Sequence, residues 1–191
     1  EILRCLVGSE MCIRDRYVYE RGLIKKRIIC VETKSGIRTI YLDIEDELYV
    51  KSIRVDMGVP VFSSSLEIGS FFVTPVLMGN PHAVCFVPNS PSEYPVEKWG
   101  PFLECHPQLR ERSNVEFVQV VSHNKICLRI WERGSKETLS CGTGACAAAA
   151  CAIQQKGMEN KVLAEVLGGT LTISWNGNGK AVFLSGPAEF I

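Results

Sequence analysis

Between Ala145 and Ile153 no polar side chain interrupts the chain, and six of those nine positions are alanine. Alanine is the strongest helix former; Gln154, Gln155 and Lys156 continue the run and Gly157 supplies a stop, which predicts a helix over residues 142–156. A helix apolar on every side has no face to offer water and belongs in a core. The material to wrap it is present. Alternating or β-branched segments between turn residues predict strands over 27–32, 38–43, 48–55, 71–76, 83–87, 115–122, 125–131, 162–167, 170–175 and 181–184. Residues 96–102 read as a short helix, 57–65 as a crossing or linker, and 88–95 as a loop.

The pattern also repeats. Residues 17–22 read as the end of a helix stopped by Gly22, as Gly157 stops the alanine-rich helix. Each is followed by a strand, a turn at Gly36 or Gly169, and a second strand, Ile37-Arg38-Thr39-Ile40-Tyr41 in one case and Thr170-Leu171-Thr172-Ile173-Ser174 in the other. Two similar halves are the simplest reading. Residues 1–16 lack apolar periodicity and read as a suspect, non-native leader.

With 191 residues, 46% hydrophobic and 22% charged, the chain has the composition of a globular protein of one large or two small domains. Basic and acidic residues number 21 each, so no nucleic acid or anionic membrane is implied as a partner. No apolar run approaches the roughly 20 residues that span a bilayer, and no signal peptide is read at the front. The nine cysteines are odd in number and without framework spacing, which suits a reducing cytoplasm. Cys141, Cys146 and Cys151 recur every five residues, about 140° apart around a helix, so they do not converge on a metal.

Chemistry concentrates where the alanine-rich helix opens. Cys141-Gly142-Thr143-Gly144 places a thiol at a helix N-terminus, where the backbone N–H groups bind anions and the dipole lowers a thiol's pKa. Cys141 is therefore a candidate base; the alternative is a buried cysteine capping a tight turn. Arg133 could clamp a carboxylate and Glu132 could orient an amine or modulate the thiol, although the two equally read as a solvated turn pair. Asn80 and His82 sit on a rigid Asn-Pro-His loop, which is also common turn chemistry, and Asn114 precedes an apolar strand. His106 and His123 read as surface residues, and the cysteines other than Cys141 as packing residues.

Four ordered motifs resemble the diaminopimelate epimerase family: Met78-Gly79-Asn80-Pro81-His82-Ala83-Val84, Glu111-Arg112-Ser113-Asn114-Val115-Glu116-Phe117-Val118, Trp131-Glu132-Arg133-Gly134, and Ser140-Cys141-Gly142-Thr143-Gly144-Ala145. The resemblance implies an α+β fold of two pseudo-symmetric halves, each an antiparallel sheet wrapped around a central helix, with the first half incomplete here. It divides the chain into the leader 1–16, a first-half remnant 17–62, a second half 63–185, and the start of a returning strand 186–191. It implies epimerisation of LL-diaminopimelate to the meso form, serving lysine and peptidoglycan synthesis, with no cofactor and no metal. Two cysteines work on opposite faces of the α-carbon, because a single base tends to return the proton to the face it left.

By this resemblance Cys141 is the second-half acid/base, with Glu132 and His82 near the reacting centre. Gly142 and Thr143 hold the α-carboxylate, while Asn80, Asn114 and Arg133, beside Glu132, bind the distal end. The first-half cysteine would fall at residues 7–10, where none stands, so the chain as written is expected to be inactive as an epimerase. A proline-type racemase and a non-catalytic carboxylate-binding thiol remnant remain the alternatives. A small amino acid is the expected partner, the cytoplasm the expected location, and a homodimer is compatible.

Overall fold

The computed structural model describes residues 19–33, 36–45, 49–109 and 111–186. The leader, its cysteine slot at 7–10, the first turn of the helix ending at Gly22 and the returning strand beyond Gly186 lie outside these residues. In chain order the elements are β1 (Ile28–Thr33), β2 (Gly36–Glu45), β3 (Tyr49–Gly58), β4 (Val61–Phe62), β5 (Leu66–Ile68), β6 (Phe71–Leu77), β7 (Pro81–Phe86), α1 (Val96–Glu104), β8 (Asn114–Ser122), β9 (Lys125–Glu132), β10 (Lys136–Thr138), α2 (Gly142–Lys156), β11 (Lys161–Val166), β12 (Gly169–Trp175) and β13 (Val182–Gly186). All the strands join one sheet, in the order β1-β2-β3-β13-β12-β11-β9-β8-β7-β6-β4, with β10 on β9 and β5 on β6.

Most strand pairs are antiparallel, as expected, but the sheet is mixed. Strand β7 runs parallel to β8, and β9 parallel to β11. A parallel pair needs a crossover, and the two helices are those crossovers: α1 carries the chain from β7 to β8, and α2 from the β9–β10 hairpin to β11. Alternation along each strand then builds a core on both faces. Val118, Leu128 and Ile130 face α2, whereas Val115, Phe117 and Trp131 pack with Val96 and Leu103 of α1.

Every side chain from Ala145 to Ala152 is fully buried, as the unpatterned run requires, and α2 touches β6, β7, β8, β9, β11, β12 and β13. The helix spans the predicted residues and ends at Gly157 with φ +64°, a left-handed cap that glycine adopts without strain. Gly22 has φ +68° at the matching place.

The repeat is visible in the strand registers. Thr33 pairs with Gly36, and Val166 pairs with Gly169 at the same spacing. Each hairpin adds a third strand, and these third strands pair with each other, Leu184 opposite Val55. The order β1-β2-β3-β13-β12-β11 thus reads alike from either end, as a pseudo-twofold arrangement demands. The linker read at 57–65 is instead partly strand: β3 runs on to Gly58, β4 follows, and the polar Ser63-Ser64-Ser65 separates it from β5. Strands this short, including β10, carry too few residues for a period of two to register.

Candidate active site

Cys141 is the N-cap residue of α2, in extended backbone just before the first helical residue. Its sulfur lies 3.4 Å from Thr143 Oγ1 and accepts from the backbone N–H of Gly144. Gly144 has a steric role as well. A Cβ there would fall 2.6 Å from Glu116 Oε1 and 3.4 Å from the Cys141 sulfur, so only glycine lets the first turn settle onto both.

The first turn of α2 does act to lower the Cys141 pKa, through Thr143 and the Gly144 N–H, but it is outweighed and the net shift is upward. Burial, then the charge of Glu132, push the thiol up to about 12. Removing water from a thiolate that is 4% exposed, with a carboxylate beside it, costs more than one helix terminus returns. In this state Cys141 is a thiol.

The remaining predicted residues converge from three directions. Strand β9 ends at Glu132, which accepts from Thr138 Oγ1 and hydrogen-bonds Cys141. Burial raises the Glu132 pKa, while the Thr138 and Cys141 hydrogen bonds oppose the rise. Arg133 follows at the exposed turn; its backbone N–H donates to Asn114 Oδ1 at 2.8 Å and its Nη1 to the Arg112 carbonyl at 3.2 Å. Asn114 begins β8, opposite His82 in the parallel pair. On β7, the His82 ring is buried, its Nε2 2.9 Å from Asn80 Oδ1. Both asparagines therefore spend their side-chain oxygen on the protein, and a ligand would meet their amide N–H groups. With the Arg133 guanidinium these make a set of donors suited to a carboxylate.

Two acidic residues central to this arrangement escaped the sequence reading. Glu116 lies fully buried with Oε1 2.6 Å from His82 Nδ1. A charged residue inside the apolar run Val115 to Val118 was the available signal. Glu104, buried at the end of α1, accepts from Trp131 Nε1 at 2.8 Å and from the Gly134 backbone at 3.1 Å, and pairs with Arg112. It thereby fastens the turn that carries Arg133. Nothing in the sequence around Glu104 pointed to it.

The histidines outside the site behave as surface residues to different degrees: His123 is exposed, and His106 is half-buried against the Phe102 ring. Cys85, Cys146 and Cys151 are buried packing residues as expected, but Cys30 and Cys105 are exposed, because the β1 edge and the α1 end leave them outside both cores. Among the described residues no group of three His, Cys, Asp or Glu side chains could hold a metal. No helix among them is long and apolar enough to cross a membrane. Beside the site a cavity of about 650 Å³ is lined by Ser63, Pro75, Val76, Pro81, His82 and Gln108; Cys141 does not line it.

Known proteins resemble this chain in fold and in sequence. A hydroxyproline epimerase from Agrobacterium vitis, solved with bound trans-4-OH-L-proline, superposes with a TM-score of 0.72 at 15% identity, covering 94% of this chain and 64% of that one. A protein of the PhzF phenazine biosynthesis family from Enterococcus faecalis superposes with a TM-score of 0.62 at 12% identity, covering 95% and 69%. These likenesses speak for the fold. At the level of sequence, the diaminopimelate epimerase of Acetivibrio thermocellus is 41% identical over 202 residues, covering 94% of this chain and 71% of the relative. That of Stutzerimonas stutzeri is 45% identical over 204 residues, covering 98% and 71%. The family model described as diaminopimelate epimerase matches residues 74–191, which include all four motifs. The chain belongs to the diaminopimelate epimerase family of isomerases.

Proposed function

We propose that the protein acts on diaminopimelate without a cofactor, with Cys141 handling the α-proton on one face of the substrate. The observation that carries this reading is the junction of Cys141 with the first turn of α2, where a thiol, a neighbouring carboxylate and the helix-end amides of Gly142 and Thr143 meet. Those amides receive the α-carboxylate and stabilise the charge that spreads onto it as the carbanion forms. Asn80, Asn114 and Arg133 take the distal amino acid end, and Glu132 and His82 stand at the reacting centre.

One base removes the α-proton, and an acid on the opposite face delivers another proton to the carbon. The raised pKa of Cys141 makes it the proton donor of the ligand-free protein. A substrate ammonium beside Glu132 would cancel part of the charge that holds the thiol protonated, and so allow the reverse direction. Cys146 is the described thiol whose charge couples to Cys141, but it lies further along the same helix and is fully buried. The opposing thiol is assigned to the first half of the molecule; residues 7–10, where the repeat would place it, hold no cysteine, so the chain as written carries one base of two and is expected to be inactive as an epimerase. In this scheme 17–62 belong to that half, 63–185 form the second, and 186–191 begin the strand that returns to the first. A cytoplasmic, homodimeric enzyme of lysine biosynthesis completes the reading.

The test is ligand protection against thermal unfolding. Diaminopimelate is expected to raise the Tm, proline to leave it unchanged, and Arg133→Ala to abolish the rise. Protection by proline and not by diaminopimelate would overturn this reading in favour of a proline-type racemase. In deuterium oxide, bound diaminopimelate that acquires no α-deuterium would instead support a carboxylate-binding thiol remnant.

A further inference from the structure

Glu116 is wholly buried, yet it is not paired in the way a buried charge requires. Its Oε1 lies 2.6 Å from His82 Nδ1 and against Gly144, and Oε2 has no hydrogen-bond partner among the described residues. An ionised carboxylate in such a place would leave one oxygen desolvated without compensation, which costs several kcal/mol. The ring it meets is equally enclosed, with a side chain 0% exposed. On its far side His82 Nε2 lies 2.9 Å from Asn80 Oδ1, an oxygen that can only accept, so Nε2 carries a proton. If Nδ1 were protonated too, an imidazolium and a carboxylate would both be buried. A neutral pair, with one proton on Glu116 and one on Nε2, satisfies both contacts without charge.

We propose that Glu116 is a positioning residue that donates its carboxyl proton to His82 Nδ1, fixes the ring as its Nε2–H tautomer, and thereby turns the Asn80 amide so that its N–H groups face the substrate. The direction of each hydrogen bond follows from the one before it. Glu116 O–H donates to Nδ1, Nε2–H donates to Asn80 Oδ1, and the Asn80 Nδ2 donors are left for a ligand carboxylate. Burial raises the Glu116 carboxyl pKa, and Glu132 adds to the rise, against the opposing effects of His82 and the Ala83 backbone. Without a donor at Nδ1 the ring can take the other tautomer. Its Nε2 would then accept from Asn80 Nδ2, turning the amide oxygen outward against the incoming carboxylate. The part of this inference that concerns the ligand rests on the diaminopimelate reading; the tautomer does not.

Nitrogen-15 NMR of histidine-labelled protein reads the tautomer directly. In the unsubstituted protein His82 is expected to show a protonated Nε2 and a bare Nδ1. Glu116→Gln, whose amide N–H replaces the acid O–H, is expected to keep that state. Glu116→Leu, of similar volume without a donor, is expected to lose it and to weaken diaminopimelate binding about tenfold, the scale of one hydrogen bond to a charged group. An imidazolium in the unsubstituted protein, or a tautomer unchanged by Glu116→Leu, would overturn the proposal. If Glu116→Leu fails to fold, the spectra of the unsubstituted protein and of Glu116→Gln still decide it. A tautomer that follows Glu116 in a protein that binds no diaminopimelate upholds the positioning role and overturns the functional reading.

Discussion

Gly144 is where the geometry of the site is tightest. The Cβ of an alanine there would lie 2.6 Å from Glu116 Oε1, an atom buried under the helix with no room to retreat. Gly144→Ala is expected to lower stability by about 1–3 kcal/mol, the usual cost of forcing atoms into a filled core, read from urea unfolding. Gly157 offers the control. A Cβ at that position meets nothing within 4 Å, so Gly157→Ala is opposed only by its φ of +64° and is expected to cost about 1 kcal/mol. Space decides the first substitution and backbone conformation the second. Asn114→Ala removes the acceptor that holds the Arg133 backbone at 2.8 Å. Its expected effect is a loss of ligand protection together with a stability cost of about 1–2 kcal/mol from the unsatisfied N–H.

At the scale of elements, the site depends on how α1 and α2 hold the end of β9. Helix α2 supplies Cys141 and its N-terminal amides from inside the curl of the sheet, while α1 lies on the opposite face and reaches the same strand end through Glu104. Removing that carboxylate strands Trp131 Nε1 and the Gly134 N–H and releases Arg112. Glu104→Ala is accordingly expected to cost about 2–4 kcal/mol in thermal or chemical unfolding, and to loosen the Arg133 turn more than the Cys141 end. A second brace lies further along β9. Arg129 holds both oxygens of Glu137 on β10 and donates to the carbonyls of Pro91 and Tyr94 in the segment before α1. The hairpin that presents Glu132 is thus fixed on both sides.

For the molecule as a whole, the buried thiols make stability depend on alkaline pH. Cys141 and Cys151 are each pushed up to about 12, and Cys85 and Cys146 are raised further, in every case mainly by burial. The unfolded chain gives up these protons near pH 8.5, whereas the fold withholds them, so the fold binds more protons than the unfolded state above that value. Stability is expected to be unaffected by these groups below about pH 8.5 and to fall from there to about pH 12, at roughly 1.4 kcal/mol per pH unit for each thiol. Urea unfolding at pH 7, 9 and 10 checks the sign. A constant or rising stability across that range would contradict the enclosure of the thiols in the two cores.

The sequence by itself determined the features that are local in the chain. Alanine propensity and the lack of a polar face specify α2 as a buried helix over its full length, and Gly157 specifies its end. The period of two marks the longer strands, and the matched hairpins expose the repeat. The candidate residues Asn80, His82, Asn114, Glu132, Arg133, Cys141, Gly142 and Thr143 stand out in the sequence because each lies in a short motif of local turn, strand-end or helix-start chemistry.

Only the tertiary structure decided what those residues are in contact with. Glu116 lies 34 positions from His82, and Glu104 lies 27 from Trp131 and 30 from Gly134, separations at which no periodicity carries information. The parallel pairs likewise depend on where the crossovers land. The protonation of Cys141 is decided in the same way: a helix terminus is visible in the sequence, but the enclosure that removes its water and the Glu132 carboxylate that faces it are brought there by the fold. Propensity and hydrophobic period act over a few residues, whereas desolvation and Coulomb energy depend on distance in space, which exists only once the chain has folded.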